Sequence, residues 1–249
     1  MPSTTRRAIT VVEWVVLVGV SLLIYVGLYL FVNHYDYFHS HYSQEDGLIE
    51  WATFGVLAGG GVVVLRRVVR LGREKGTLFF LCTACLSMLF LLAACEEISW
   101  GQRIFGIESP EYFREHNRQG ETNLHNLTIG SVNIGRLAIP ALQIMAPVYL
   151  LVVPFLYRRI QWCQAALAKL AVPLPRIQHQ IWFLHIVSLL YAFTGPGIFE
   201  MYELMLATLG LLIVWNPLNS EIYTVSGDRV AKTPPDRRGE PSGSAAGVD

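Results

Sequence analysis

Charge is scarce in this sequence. Asp, Glu, Lys and Arg make up 15% of the residues, against roughly 25% in ordinary soluble domains. The 19 basic side chains balance the 19 acidic ones, so no net charge draws the chain to nucleic acid. Cysteine is scarce as well: Cys82, Cys85, Cys95 and Cys163 are the only four. Three of them lie in one apolar run, which excludes the disulfide framework of a small secreted domain. Cys82 and Cys85 make a CxxC, but inside an apolar segment they read as small, soft packing residues. No phosphate-binding glycine loop, dinucleotide fingerprint or HExxH zinc motif occurs, and no internal repeat is evident.

Apolar residues are what the chain has in abundance, at 53%. A soluble fold of this size would expose much of that surface, so lipid is the expected solvent. The apolar residues gather into six segments: Ile9 to Asn33, Leu48 to Leu65, Thr77 to Cys95, Ile129 to Tyr157, Gln180 to Thr194 and Ile198 to Trp215. Each is near the roughly 20 residues that cross a hydrocarbon core, with the fifth short. The fold class expected is therefore all-α, a polytopic transmembrane helical bundle of about six spans. Residues 1–218 form that domain, and 219–249, rich in polar residues, Pro, Gly and Ser, form a disordered tail. The third span is expected to continue as helix to Arg103. Pro140, Pro147 and Pro154 predict a kinked fourth span. Gly55 and Gly59 form a GxxxG, a spacing that lets helix backbones approach closely.

Lys and Arg mark the orientation. Arg6 and Arg7, the loop 66–75, the loop holding Arg158, Arg159, Lys169 and Arg176, and the tail all fall on one side of a six-span arrangement. The loop 34–46 contains no Lys or Arg, and the loop 104–128 contains only Arg114 and Arg118. Basic loops stay inside, which puts both termini in the cytoplasm and the chain in the cytoplasmic (inner or plasma) membrane.

That orientation collects polar residues at the outer ends of the spans. His34, Asp36, His39 and His41 follow the first span, where their aromatic neighbours fit the headgroup belt. Asp46 and Glu50 open the second span, EEISWGQR at 96–103 closes the third, and Glu200 and Glu203 open the sixth. The loop HNRQGETNLHN, 116–126, precedes the fourth. In a continuous helix, Glu96, Ser99 and Arg103 would share one face. A carboxylate at this depth costs several kcal/mol unless it is paired, hydrated or bound to a metal.

Acids and histidine converging at one level are the donor set of a hydrolytic metal centre. The expected metal ligands are His125, Glu97, Glu200, Glu203 and Glu50, with a divalent ion such as zinc as the cofactor. Glu96, Glu97, Ser99 and Arg103 are the candidate catalytic residues: Glu96 as base, and Arg103 to hold an anionic head group. Gln102, Asn123 and Asn126 are the candidate ligand-binding residues. The function expected is a membrane-embedded hydrolase acting on a lipid or membrane-anchored substrate at the outer leaflet. Membrane lipids are the expected partners, and nucleic acid is not one. The alternative is a non-enzymatic membrane component whose outer polar residues form a structural cap. Away from this layer, Glu13 is expected to pair with a basic residue near the inner surface, and the intramembrane His185 to be a hydrogen-bonded packing residue.

Overall fold

A computed structural model describes residues 9–44, 47–124 and 126–224 of the chain, leaving aside the side chains of Arg136, Ala138 and Ile139. In chain order it contains α1 (Val11–Asn33), α2 (Leu48–Lys75), α3 (Thr77–Glu97), α4 (Glu111–His116), β1 (Thr128–Ile129), β2 (Val132–Asn133), α5 (Ile134–Pro147), α6 (Val153–Arg159), α7 (Gln161–Lys169), α8 (Ile177–Tyr191) and α9 (Ile198–Trp215). Five helices are long and apolar enough to cross a membrane: α1, α2, α3, α9 and the run Pro140–Arg159 formed by α5 and α6. This is compatible with an integral membrane protein, and broad apolar faces such as Val11, Val15, Leu22, Leu89 and Ile144 lie exposed on the outside.

The fifth expected span differs. α8 has 15 residues, about 22 Å of helix, short of the roughly 30 Å hydrocarbon core. It nevertheless runs between the same two ends of the bundle as the longer helices. At one end His179 meets Glu13 of α1 and Arg176 donates to the carbonyls of Asn216 and Pro217. At the other end the link to α9 packs on Phe31 at Gly195 and on Phe38 and Ser43 at Gly197.

α9 is the buried centre. Met201, Leu204, Met205 and Leu212 are fully enclosed, and they join Ile24 of α1, Phe183 and Ile186 of α8 and Phe38 in one core. α2 and α3 form a long antiparallel hairpin through Gly76, whose φ of +91° is a left-handed value that glycine tolerates. The close approach between them lies at Gly60 and Gly61, where an added Cβ would sit 2.7 Å from Phe90 and 2.6 Å from Leu91. The GxxxG glycines lie elsewhere on the helix: Gly55 meets nothing within 4 Å, and Gly59 meets Leu211 of α9 at 3.8 Å. The next two glycines, Gly60 and Gly61, are the ones that face α3.

Three further expectations are corrected. The fourth span does not start at Ile129: residues 128–133 form a β-hairpin turning at Gly130, with Thr128 opposite Asn133 and Ile129 opposite Val132. The helix of the third span does not reach Arg103: α3 stops at Glu97, and Ser99, Trp100 and Gly101 all take positive φ (46°, 57° and 73°). One left-handed turn thus intervenes before the single turn Gln102–Phe105. Residues 219–224, assigned to the tail, pack on the bundle: buried Asn219 accepts from the Leu174 N–H at 3.0 Å and donates to the Val172 carbonyl at 2.8 Å. Residues 225–249 lie outside the described residues.

The proline-rich span is interrupted at Val148–Val152, a π-helical turn between α5 and α6. Pro154 has no N–H to offer the carbonyl of Leu150 four residues earlier. The Gln180 side-chain amide of α8 donates to that carbonyl instead, at 2.7 Å. With no water in a hydrocarbon core, such a carbonyl needs a protein donor.

Candidate functional site

The ends of α1 and α3 and the starts of α2 and α9 meet at the end of the bundle opposite Glu13. Helix direction alone brings Glu50 (first turn of α2), Glu97 (last residue of α3), and Glu200 and Glu203 (first turns of α9) to this level. Glu200 and Glu203 stand one turn apart on α9, and Glu203 lies within electrostatic range of Glu97 and Glu50. Four carboxyl groups from three helices therefore share one site.

A second cluster lies directly beside the first. Glu96 accepts from the Trp100 indole N–H at 2.7 Å and from the Leu124 backbone N–H at 2.5 Å. The left-handed turn aims the Ser99 hydroxyl at Glu121, to which it donates. Arg103 forms an ion pair with the same carboxylate. Asn123 donates to Ser99 Oγ at 3.0 Å, and Asn117 donates to the Asn123 side-chain oxygen at 2.8 Å. Gln102 accepts from the Thr122 N–H at 2.8 Å and pairs with Ser109. Ser99, Ser109, Asn117, Glu121 and Asn123 are all buried. The loop 109–127 is thus fastened to the end of α3 by buried polar contacts.

The expected residues accordingly divide into two groups. Glu50, Glu97, Glu200 and Glu203 come together. Glu96, Ser99, Gln102, Arg103 and Asn123 belong to the adjoining network, and Asn126 closes the loop by donating to Gln119. The single helix face proposed for Glu96, Ser99 and Arg103 does not exist, because the helix breaks at Ile98; the left-handed turn and Glu121 reunite Ser99 and Arg103 instead. Arg103 faces a carboxylate of its own chain. His125 lies outside the described residues. Among the described residues no group of three or more His, Cys, Asp or Glu is arranged to hold a metal ion.

Sequence reasoning passed over Glu121, Asn117 and Ser109 as central members. The signal was the density of hydrogen-bonding side chains in HNRQGETN, which marks a loop that builds its own interior. It also passed over the positive φ of Ser99 and Trp100. Non-glycine residues held there cost of order 1–3 kcal/mol each and cluster at functional sites.

The histidines of 34–41 pack rather than converge. His39 and His41 stack on Tyr35 and Tyr37. The segment folds back into the bundle through buried Phe38 and through Tyr42, whose hydroxyl donates to the Leu23 carbonyl at 2.7 Å. His185 hydrogen-bonds the Tyr25 hydroxyl at 2.6 Å. Comparison with protein-family models, with curated proteins and with solved structures gives no match to this chain.

Proposed function

We propose that this chain is a membrane-embedded hydrolase acting on an ester bond of a lipid or membrane-anchored substrate. The observation that carries this reading is the convergence of Glu50, Glu97, Glu200 and Glu203 at one end of the bundle, with Glu200 and Glu203 one turn apart on α9. A structural cap has no use for four carboxyl groups in one partly dry site, where each costs free energy. A pair sharing one proton is a working acid–base device. The ionised member takes a proton from water as the water oxygen bonds to the substrate's acyl carbon or phosphorus. The protonated member gives its proton to the departing oxygen. Glu50 and Glu97 would hold a cationic head group; a divalent ion such as zinc, were they to bind one together with His125, would supply further activation of the water. A lipid substrate is favoured by Trp100, Ile104, Phe105 and Ile107, which expose apolar surface beside the site. In the proposed topology six segments cross the cytoplasmic membrane, both termini face the cytoplasm, and the carboxyl site opens at the outer leaflet.

The second reading, a non-enzymatic component with a polar cap, is favoured by one observation: Ser99, Arg103 and Asn123 are all engaged with residues of their own loop. One experiment separates the two. The full chain is incubated with a total membrane lipid extract in ¹⁸O-water, and the products are read by mass spectrometry, with the metal content of the same preparation measured in parallel. Hydrolysis places ¹⁸O in one product, and Glu203→Gln abolishes it while the protein still folds. If wild type incorporates no more ¹⁸O than Glu203→Gln in any lipid class, the enzymatic reading is wrong and the cap stands.

A further inference from the structure

Near the middle of α1 two polar rings meet on an outward face. The Tyr25 hydroxyl lies 2.6 Å from Nε2 of His185 in α8, and the rings stand edge to face with centroids 6.2 Å apart. Tyr25 is three residues past the midpoint of α1, about 4.5 Å of helix, and His185 is one past the midpoint of α8. Both are exposed. A neutral imidazole has one donor and one acceptor, and a phenol hydroxyl also has a donor and an acceptor. One bond between them, in either tautomer, uses one of each and leaves one of each. Among the described residues neither ring has a further hydrogen-bond partner. Hydrocarbon offers none, and polar groups at this depth are ordinarily turned toward protein or a watery cavity. The surrounding face is shaped to take a helix. Val15, Val18, Leu22, Tyr25, Tyr29 and Val32 are each at least 41% exposed. They alternate at spacings of three and four, the seam of a left-handed helix pair. Gly19 lies beside that seam, and a Cβ there would meet nothing within 4 Å, so a second backbone can come close.

We infer that this face joins two copies of the chain, paired through α1 about a twofold axis along the membrane normal. A twofold interface presents the same patch from both sides, so the patch must complement itself. One spare donor beside one spare acceptor does so. The donor of each copy bonds to the acceptor of the other, and all four groups are satisfied. Acyl chains bring neither group. A different membrane protein would need both at the same depth, whereas a second copy, inserted in the same orientation, carries them there already. The pairing is independent of the carboxyl layer and of any hydrolysis there.

The full chain, labelled at its C-terminus in two batches with a donor and an acceptor fluorophore, is reconstituted in liposomes, and energy transfer is followed as lipid is added. Transfer that falls along a monomer–dimer curve is expected. Tyr25→Phe with His185→Phe weakens the dimer about eightfold, the loss of two interhelical hydrogen bonds of the average strength found in bilayers. Gly19→Leu, whose added side chain meets nothing in its own chain, abolishes transfer at dilutions where wild type is dimeric, and its melting temperature stays that of wild type. Leu22→Cys cross-links two copies on mild oxidation, whereas Leu89→Cys, on the exposed face of α3, gives no more than the background of the native cysteines. Absence of transfer at every lipid ratio overturns the inference, as does a dimer unaffected by both Gly19→Leu and the double variant. A monomer that retains a small lipophilic molecule, lost in the double variant, also overturns it and assigns the ring pair to that ligand.

Discussion

Removing the Glu13 carboxyl tests how the first and last thirds of the bundle are held together. Glu13 is fully buried. Its carboxylate accepts from the Thr10 N–H at 2.7 Å and from the Asn216 amide at 2.9 Å, and it lies 3.2 Å from Nε2 of His179, which is equally buried. Thr10 returns a cap to the Glu13 N–H at 3.2 Å, closing a capping box at the start of α1. Glu13→Ala therefore strands one buried imidazole and two donors at once. Breaking a buried pair by removing one partner costs about 3–5 kcal/mol in water-soluble proteins. In bilayers the reference chain finds other partners, and hydrogen bonds between helices average about 0.6 kcal/mol each. Three such contacts set a floor of about 2 kcal/mol, so a loss of about 3 kcal/mol is expected. For a chain of this length each kcal/mol lowers the melting temperature by about 2–4 °C, which gives a drop of roughly 6–12 °C. Tryptophan-monitored melting of the detergent-solubilised chain measures it. Glu13→Gln, which keeps the cap, is expected to lose less than half as much. The decisive quantity is the cycle with His179→Ala: the double variant should be about 1–2 kcal/mol more stable than the two single losses predict. Strict additivity of Glu13→Ala and His179→Ala would refute the pairing.

The other predictions concern backbone positions. Gly60→Val forces a side chain into Phe90 and is expected to cost about 1–3 kcal/mol, whereas Gly55→Ala, which meets nothing, leaves the melting temperature within about 1 °C. Gln180→Leu takes the donor from the Leu150 carbonyl and is expected to cost about 1–3 kcal/mol. Adding Pro154→Ala restores a backbone donor four residues on and recovers most of that loss, so a combined variant no more stable than Gln180→Leu alone would count against the assignment. Gly101→Ala, at φ +73° with a Cβ 3.0 Å from Phe105, is expected to cost about 1 kcal/mol or more and to expose the loop 109–127 to limited proteolysis before the rest of the chain melts.

Much of this architecture was legible in the sequence, because long apolar runs and charge-poor loops are local patterns. The helices that begin at Leu48, Thr77 and Ile198 start where the hydropathy places them, and helix direction then brings Glu50, Glu97, Glu200 and Glu203 to one end. What was not legible depends on contacts between distant residues or on single backbone torsions. Nothing near Glu13 announces His179 as its partner. The GxxxG spacing names a face of α2, but only the position of Phe90 decides that Gly60 and Gly61 are the glycines in contact. Ser99-Trp100-Gly101 sits at the end of an apolar helix and reads as its continuation, since one glycine there weakly signals three consecutive left-handed residues. The hairpin at 128–133 was hidden for a similar reason: Thr-Ile-Gly-Ser-Val-Asn is apolar enough to be absorbed into the span that follows it.

The shortness of α8 bears on how the chain is made. A 15-residue helix carrying Gln180, His179 and His185 is a poor candidate to leave a translocon for lipid by itself. Its polar side chains find their partners on segments synthesised earlier: His179 on Glu13, Trp182 on Ser21, His185 on Tyr25, and Gln180 on the carbonyl that Pro154 leaves open. α8 is therefore held in place by contacts with helices that precede it in the chain. A chain truncated before α8 carries a buried acid and a bare carbonyl with nothing to receive them.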